Sequence, residues 1–107
     1  MQVTTTFNFE GHRIKEYKGL VRGIIVRSPN IFQGISGGLK TIVGGKIGAY
    51  TDMCETTRQQ AYESLIQHAE ALGANAIIGF RYDATEVVQN ATEVLAYGTA
   101  VVIESIQ

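Results

Sequence analysis

The hydrophobic residues near the start of the chain follow strand-like patterns. Residues 2–7, QVTTTF, are rich in the Thr, Val and Phe side chains that suit a strand, and they predict a short edge strand. Residues 12–27 begin with alternating polar and apolar positions and continue as an almost unbroken apolar run. Gly19 and Gly23 inside this run indicate a bend, a bulge or a close approach of backbone. The pattern therefore predicts one long bent strand, or two consecutive strands, over residues 12–27.

The strongest helical period in the chain lies between residues 51 and 73. Thr51 is a good N-cap, Asp52 suits the positive end of the helix dipole, and Gly73 suits a left-handed helix stop. We therefore predict a helix from Thr51 or Asp52 to about Leu72. At 100° per residue, its apolar face consists of Cys54, Ala61, Leu65, Ala69 and Leu72.

A glycine-rich segment lies between the long strand and this helix. Ile and Leu recur at helical spacing over residues 31–42, but three glycines in the same stretch each cost about 1 kcal/mol relative to Ala in a helix interior. We expect a short helix there that depends on packing, for example against another chain. Gly44 and Gly45 then supply its C-terminal stop.

The last third of the chain predicts a β-hairpin. Residues 75–83 form a buried apolar run, Val87 and Val88 extend it, and residues 93–104 form a second run after a polar turn at 89–92. The predicted order is β-α-α-β-β with a small strand in front. We therefore expect an α+β protein with a single domain over residues 1–107.

Composition narrows the function mainly by exclusion. The net charge of −1 gives no basis for a nucleic-acid surface. No apolar run approaches the roughly 20 residues that a membrane helix needs, and the N-terminus lacks the apolar core of a signal peptide. We therefore expect a cytoplasmic protein that binds neither nucleic acid nor membrane.

The 12 glycines against a single proline invite a nucleotide-binding interpretation. The spacing rules this out, because no two glycines lie two positions apart and the chain therefore contains no GxGxxG motif. Gly45 and Lys46 are followed by Ile47, so the GxxxxGK[ST] motif is absent too. Turns and tight backbone approach explain the glycines better.

Metal binding and catalysis have few candidate residues. Cys54 and His68 are 14 positions apart, about 20 Å along one helix, so they cannot share an ion within one chain. One interpretation is that Cys54 is a small buried hydrophobe and that His68 flanks the apolar face of the helix. The other is a site built across chains at a symmetry axis. Nucleophilic catalysis needs a nucleophile and a base within hydrogen-bond reach, and no such pair is evident in the sequence. The sequence therefore favours a non-enzymatic protein with no catalytic residues.

Arg58 is the sharpest anomaly, because it falls within the predicted apolar face of the helix. One interpretation is that its stem covers apolar surface while the guanidinium reaches water. Another is an ion pair with Glu55 or with a carboxylate of a second subunit. The third interpretation places Arg58 in a ligand pocket with Tyr50 and with Tyr82 or Tyr97.

Three blocks of the chain together resemble the YbjQ family of small bacterial and archaeal proteins. They are GLVRGIIVRSPNIF, GLKTIVGGKIGAYTDM, and TTRQQAYESLIQHAEALGANAIIGFRYD, which AYGTAVVIE closes. The resemblance spans nearly the whole chain, and the combination is far more specific than any single block.

The resemblance implies a β-α-β-β unit similar to the dodecin-subunit fold, assembled as a homopentameric ring. It also implies heavy-metal binding, with a metal ion as the candidate cofactor. No ligand set carries over from the family, and the candidates that this chain itself offers are Cys54 and His68. We therefore expect a non-enzymatic homopentameric binding or scaffold protein. The alternative is a small-molecule-binding protein or an enzyme with a site at the subunit interface. The candidate ligand or interface residues are Tyr50, Arg58, Gly44 and Gly45.

Overall fold

The computed structural model describes residues 1–27, 46–88 and 91–106. The four strands there form one mixed sheet in the order β1-β3-β4-β2, in which β1 runs parallel to β3 and the other pairs are antiparallel. One helix, α1, packs on this sheet, so the α+β class is confirmed. The elements are β1 (Gln2–Val3), β2 (His12–Arg27), α1 (Lys46–Ala71), β3 (Ala76–Val88) and β4 (Ala91–Ser105).

The predicted glycine-rich helix over residues 31–42 lies outside the described residues, as do Gly44 and Gly45. The N-terminal edge strand is confirmed but is shorter than predicted. Beyond Val3 the chain keeps only scattered bonds to β3, such as that from the Phe80 N–H to the Thr4 carbonyl at 3.0 Å.

The long second strand is a single element of 16 residues with two register shifts against β4. One shift falls between Tyr17 and Gly19, and Gly19 has a φ of 112°, a backbone conformation that other residues rarely adopt. Of the two interpretations of residues 12–27, one long bent strand is therefore correct.

Gly23 marks where α1 approaches the sheet most closely. A Cβ atom at this position would overlap the carbonyl oxygen of Ala61 and lie 2.6 Å from the backbone nitrogen of Leu65. Only a residue without a side chain fits there, which confirms the predicted close approach. The helix side of the contact includes the small side chains of Ala61 and Ser64, so the backbone of β2 packs almost directly on the backbone of α1.

The predicted start of the helix is wrong by one to two turns. α1 begins at Lys46, so Thr51 and Asp52 lie inside it instead of capping it. The five added residues contain no proline, and Gly48 opposes the helix by only about 1 kcal/mol. The C-terminal end is close to the prediction, because Gly73 adopts a φ of 82° and its N–H bonds to the Glu70 carbonyl at 3.0 Å.

The buried face of α1 differs from the predicted apolar face at both ends. Ala61, Leu65 and Ala69 are fully buried, as predicted. Cys54 is exposed and Leu72 retains 38% of its accessible surface, so the prediction of a buried Cys54 is wrong. Residues 51–56 are exposed or half-exposed on every side, because no described element covers this part of the helix.

The sheet has a hydrophobic cluster on each face. The larger one lies between α1 and the sheet, and the smaller one lies on the opposite face, where Phe9 and Ile14 close it. The larger cluster contains Val21, Ala61, Leu65, Ala69, Ile77, Phe80, Ala96 and Ala100, and the smaller one Ala76, Ile78, Val101 and Ile103.

The rest of that opposite face is uncovered in the described chain, and we call it the open face. Since Val21 and Gly23 point toward α1, the alternating positions on β2 point away from it. The open face consists of Leu20, Arg22, Ile24 and Val26 on β2 and their register partners Thr99, Tyr97, Leu95 and Glu93 on β4.

The overall shape is elongated. The Cα radius of gyration is 17.2 Å and the principal extents are 56 × 26 × 18 Å. A compact domain of this length has a radius of gyration of about 13 Å. No helix in the described part combines the length and hydropathy needed to cross a membrane.

Candidate functional site

Four side chains join α1 to β3 in an aromatic–arginine cluster, which we define as Arg58, Tyr62, Phe80 and Tyr82. The guanidinium carbon of Arg58 lies 5.6 Å from the centre of the Tyr82 ring. Phe80 meets Tyr82 edge to face with 4.8 Å between ring centres, and Tyr62 meets Phe80 in the same manner at 5.6 Å. These separations are typical of favourable aromatic and cation–π contacts.

Local periodicity explains how the sequence assembles the cluster. Arg58 and Tyr62 are four residues apart on α1 and therefore share a helix face. Phe80 and Tyr82 are two residues apart on β3 and therefore share a sheet face. Phe80 is buried in the core, whereas Tyr82 is 38% exposed, so the cluster runs from the core to the surface.

The electrostatics of the cluster centre on Tyr82. Burial raises the pKa of its hydroxyl above the ordinary value of about 10, and Tyr62 raises this pKa further. Arg58 lowers the same pKa, and the carboxylate of Glu55 raises it. Tyr82 therefore carries its proton at neutral pH and is a hydrogen-bond donor beside a cation.

The cluster offers hydrogen-bond donors for a ligand, but it contains no nucleophile paired with a base. Its polar groups are one guanidinium and two phenolic hydroxyls, with Glu55 three residues before Arg58 on the same helix. Guanidinium and hydroxyl groups donate hydrogen bonds to oxygen atoms, and the rings offer flat apolar surfaces. This chemistry suits the recognition of a small polar or anionic molecule.

The structure places some of the predicted site residues together and separates others. Arg58 is exposed and stacks on Tyr82, so its predicted place within the buried face is wrong, and the pairing with Tyr82 is present. Tyr97 lies on the open face, since the neighbouring Ala96 points toward α1. Tyr50 belongs to α1, but its side chain lies outside the described residues, as do Gly44 and Gly45.

Two residues matter that the sequence did not single out. Tyr62 packs against Phe80 in the cluster. Its position four residues after Arg58 places it on the same helix face, and this spacing could have identified it from the sequence. Thr57 is 5% exposed on the buried face of α1, where its hydroxyl donates to the Met53 carbonyl at 2.8 Å. This local bond satisfies the hydroxyl, and a polar residue can therefore occupy the apolar face.

The two candidate metal ligands do not form a site within one chain. Cys54 is an exposed free thiol, and Nδ1 of His68 accepts a hydrogen bond from the Arg22 backbone N–H at 3.1 Å. Among the residues that the structure describes, no three His, Cys, Asp or Glu side chains are grouped for metal binding. Heavy metals require clustered thiolate or imidazole ligands, and the donor set of these residues does not fit one.

Comparison with known proteins identifies the family. A family model described as "Putative heavy-metal-binding", that of YbjQ, matches residues 1–104. The chain belongs to the YbjQ family. The resemblance of the sequence blocks is thereby confirmed, while heavy-metal binding is the description of the family and not an observation on this chain.

The names of the following similar proteins state no biochemical activity. This YbjQ-family chain is 61% identical over 103 residues to a UPF0145 protein of Legionella pneumophila, spanning 96% of this chain and 98% of the relative. A UPF0145 protein of Paraburkholderia phymatum is 56% identical over 99 residues, 92% of this chain and 89% of that protein. A crystal structure of a DUF74-family protein of unknown function from Pediococcus pentosaceus matches with a TM-score of 0.64 at 23% identity, over 97% of this chain and 98% of that one. The last likeness supports the fold alone.

Proposed function

We propose that this YbjQ-family chain is a cytoplasmic, non-enzymatic binding or scaffold protein that works as a homopentameric ring. The open face carries the proposal, because in the part of the chain that the structure describes its apolar side chains are in contact with water. Leu20 is 80% exposed, and Ile24 and Val26 retain 43% and 46% of their accessible surface. Adjacent exposed apolar residues of this kind mark interaction surfaces.

The chemistry of the open face suits a second copy of the chain. Arg22 and Glu93 lie among its apolar residues and carry opposite charges, so contacting copies can pair them across an interface. The elongated shape supports the same proposal, since a chain that buries little of its own surface gains most from a neighbour.

One amide on each free edge of the sheet is already hydrogen-bonded to a side chain, which disfavours strand addition at that point of the edge. On the β2 edge, the Arg22 N–H donates to Nδ1 of His68. On the free stretch of the β3 edge, the Ala84 N–H donates to Oδ1 of Asp83 at 2.8 Å. Edge amides that side chains already occupy are poor templates for adding a strand from another chain.

The number five rests on the family resemblance, and a solution mass tests it. Size-exclusion chromatography with light scattering is expected to give about five times the 11.6 kDa of the chain. Another closed oligomer would keep the role of the open face and change the number. A monomer at micromolar concentration would refute the architecture.

Small-molecule binding is the second candidate function, and the aromatic–arginine cluster favours it. The cluster places a guanidinium on an aromatic ring at the protein surface, and α1 also carries Tyr50 two turns earlier. In a ring, the cluster would lie in a cleft between subunits. Replacement of Arg58 by Ala should then abolish ligand binding, and unchanged binding and assembly would remove this proposal.

A further inference from the structure

We propose that the aromatic–arginine cluster is a binding site for a small oxyanion, a phosphate or a carboxylate, with the Arg58 guanidinium as its charged donor. The inference rests on the proposed binding function and names its ligand class. It does not depend on the pentamer, because residues of a single chain form the whole cluster.

The charge of Arg58 is not neutralised by an ion pair in the described part of the chain. Ion pairs found there include Arg13–Glu104 and Lys18–Glu16, and none of them involves Arg58. Arg58 instead contacts the Tyr82 ring, which attracts a cation but leaves its positive charge in place. An exposed cation in this state is available to an anionic ligand.

The cluster also restrains the guanidinium before a ligand arrives, because the ring that it contacts is itself held in place. Tyr82 is braced by Phe80, and Phe80 is buried and braced in turn by Tyr62. A planar guanidinium against a ring keeps N–H groups that can bind the two oxygens of a carboxylate or phosphate together. Less side-chain freedom is lost on binding when the donor is already held.

Tyr82 and Glu55 determine whether a substitution at the site should strengthen or weaken oxyanion binding. The Tyr82 hydroxyl keeps its proton at neutral pH and adds a neutral donor next to Arg58. The Glu55 carboxylate is close enough to act on the same hydroxyl, and it repels an anion. Removal of this carboxylate should therefore strengthen oxyanion binding, whereas it would weaken the binding of a cationic ligand to the same rings.

The test is an NMR titration of the full-length protein with inorganic phosphate and, separately, with acetate, at low ionic strength and pH 7. Saturable shifts are expected at the amides of residues 58 and 82 and at the Tyr82 ring. Shifts with phosphate alone assign a phosphate group, and shifts with both probes assign a carboxylate-sized oxyanion site. The absence of saturable shifts with either probe at millimolar concentrations overturns the proposal.

Variants separate a binding role from a structural one. Arg58→Gln should weaken the affinity at least about tenfold, since it removes charge-assisted hydrogen bonds, and Arg58→Lys should restore part of it. Glu55→Gln should strengthen the affinity. Arg13→Gln is the matched control, because it removes the same charge at the pair with Glu104, and it should leave the affinity within about twofold.

Two outcomes of the variant series contradict the proposal. One is an affinity that Arg58→Gln leaves unchanged while circular dichroism shows the fold intact. The other is weaker oxyanion binding in Glu55→Gln. Light scattering on the same samples keeps the two proposals apart, because a monomer that binds phosphate through Arg58 would refute the pentamer and support the anion site.

Discussion

The two faces of the β-sheet differ in how completely one chain covers them. On the face toward α1, backbone packs nearly on backbone, with Gly23 on the strand and Ala61 and Leu65 on the helix. On the opposite face, Phe9 and Ile14 close one end, and the open face beyond carries exposed apolar residues. The covered face therefore accounts for much of the packing that holds the chain together, whereas the open face contributes little to it within the described residues.

Substitutions of one leucine on each face should show the largest contrast. Leu65→Ala should reduce the free energy of unfolding by about 3 kcal/mol, because Leu65 is fully buried and its loss leaves a cavity. Leu20→Ala should change the stability of the isolated chain by less than about 0.5 kcal/mol, because the side chain is 80% exposed. Urea denaturation at low protein concentration measures both. Equal losses would show that the two faces are not different within one chain.

A pair of glycine substitutions should sharpen the same contrast with a somewhat smaller effect. Gly23→Ala should destabilise the chain by about 2 kcal/mol, because its Cβ would overlap the backbone of α1. Gly48→Ala is the matched control, since no atom of the described residues lies within 4 Å of a Cβ there and helical Ala is better than Gly by up to about 1 kcal/mol. In thermal denaturation, the melting temperature should therefore be lower for Gly23→Ala than for the wild type. For Gly48→Ala it should be unchanged or higher. A harmless Gly23→Ala would mean that α1 does not pack as described.

The pH dependence of stability should show a small effect of the aromatic–arginine cluster. The pKa of Tyr82 is raised in the folded chain, so its neutral form stabilises the fold below the ordinary pKa of about 10. This contribution is lost as the pH rises from about 10 through the higher folded pKa. Denaturation at several alkaline pH values should show a shallower loss for Tyr82→Phe than for the wild type. A steeper loss in the variant would contradict the described environment of Tyr82.

Metal addition should have the smallest effect on the isolated chain. Cys54 and His68 are far apart on α1, and Nδ1 of His68 is already hydrogen-bonded. Calorimetric titration of chelator-treated monomeric protein with zinc, copper, nickel and cadmium should therefore give no tight stoichiometric binding. If metal binds only to the assembled protein and Cys54→Ser abolishes that binding, the site is shared between chains. Tight binding by the monomer would refute the interpretation of Cys54 and His68.

The sequence predicted where the helix and strands lie more accurately than the residues at which they begin and end. Alternation and apolar runs located β2, β3 and β4, and glycines inside an apolar run indicated where a strand bends and where a helix approaches. The helical wheel misplaced Cys54 and Leu72, because it gives the direction of a side chain but not how far the sheet extends beneath the helix. Thr57 was missed because its hydroxyl is satisfied within α1.

The candidate site could be predicted only in part. Arg58 was found because it conflicts with the apolar pattern, and Tyr82 was one of two tyrosines of the hairpin strands considered for it, besides Tyr50. The choice between Tyr82 and Tyr97 depends on which residues of β3 and β4 face α1, and the register shifts in the sheet determine this. A contact between positions 24 residues apart on a helix and a strand leaves no local pattern in a single sequence.

The most direct test of the role of the open face is the solution mass of two charge-matched variants. Leu20→Lys introduces a cation into the open face, and Gln59→Lys introduces one on the exposed side of α1. We expect light scattering to give a pentamer for the wild type and for Gln59→Lys, and smaller species for a folded Leu20→Lys. An unchanged mass for Leu20→Lys would show that the open face is not the surface through which copies of this chain assemble.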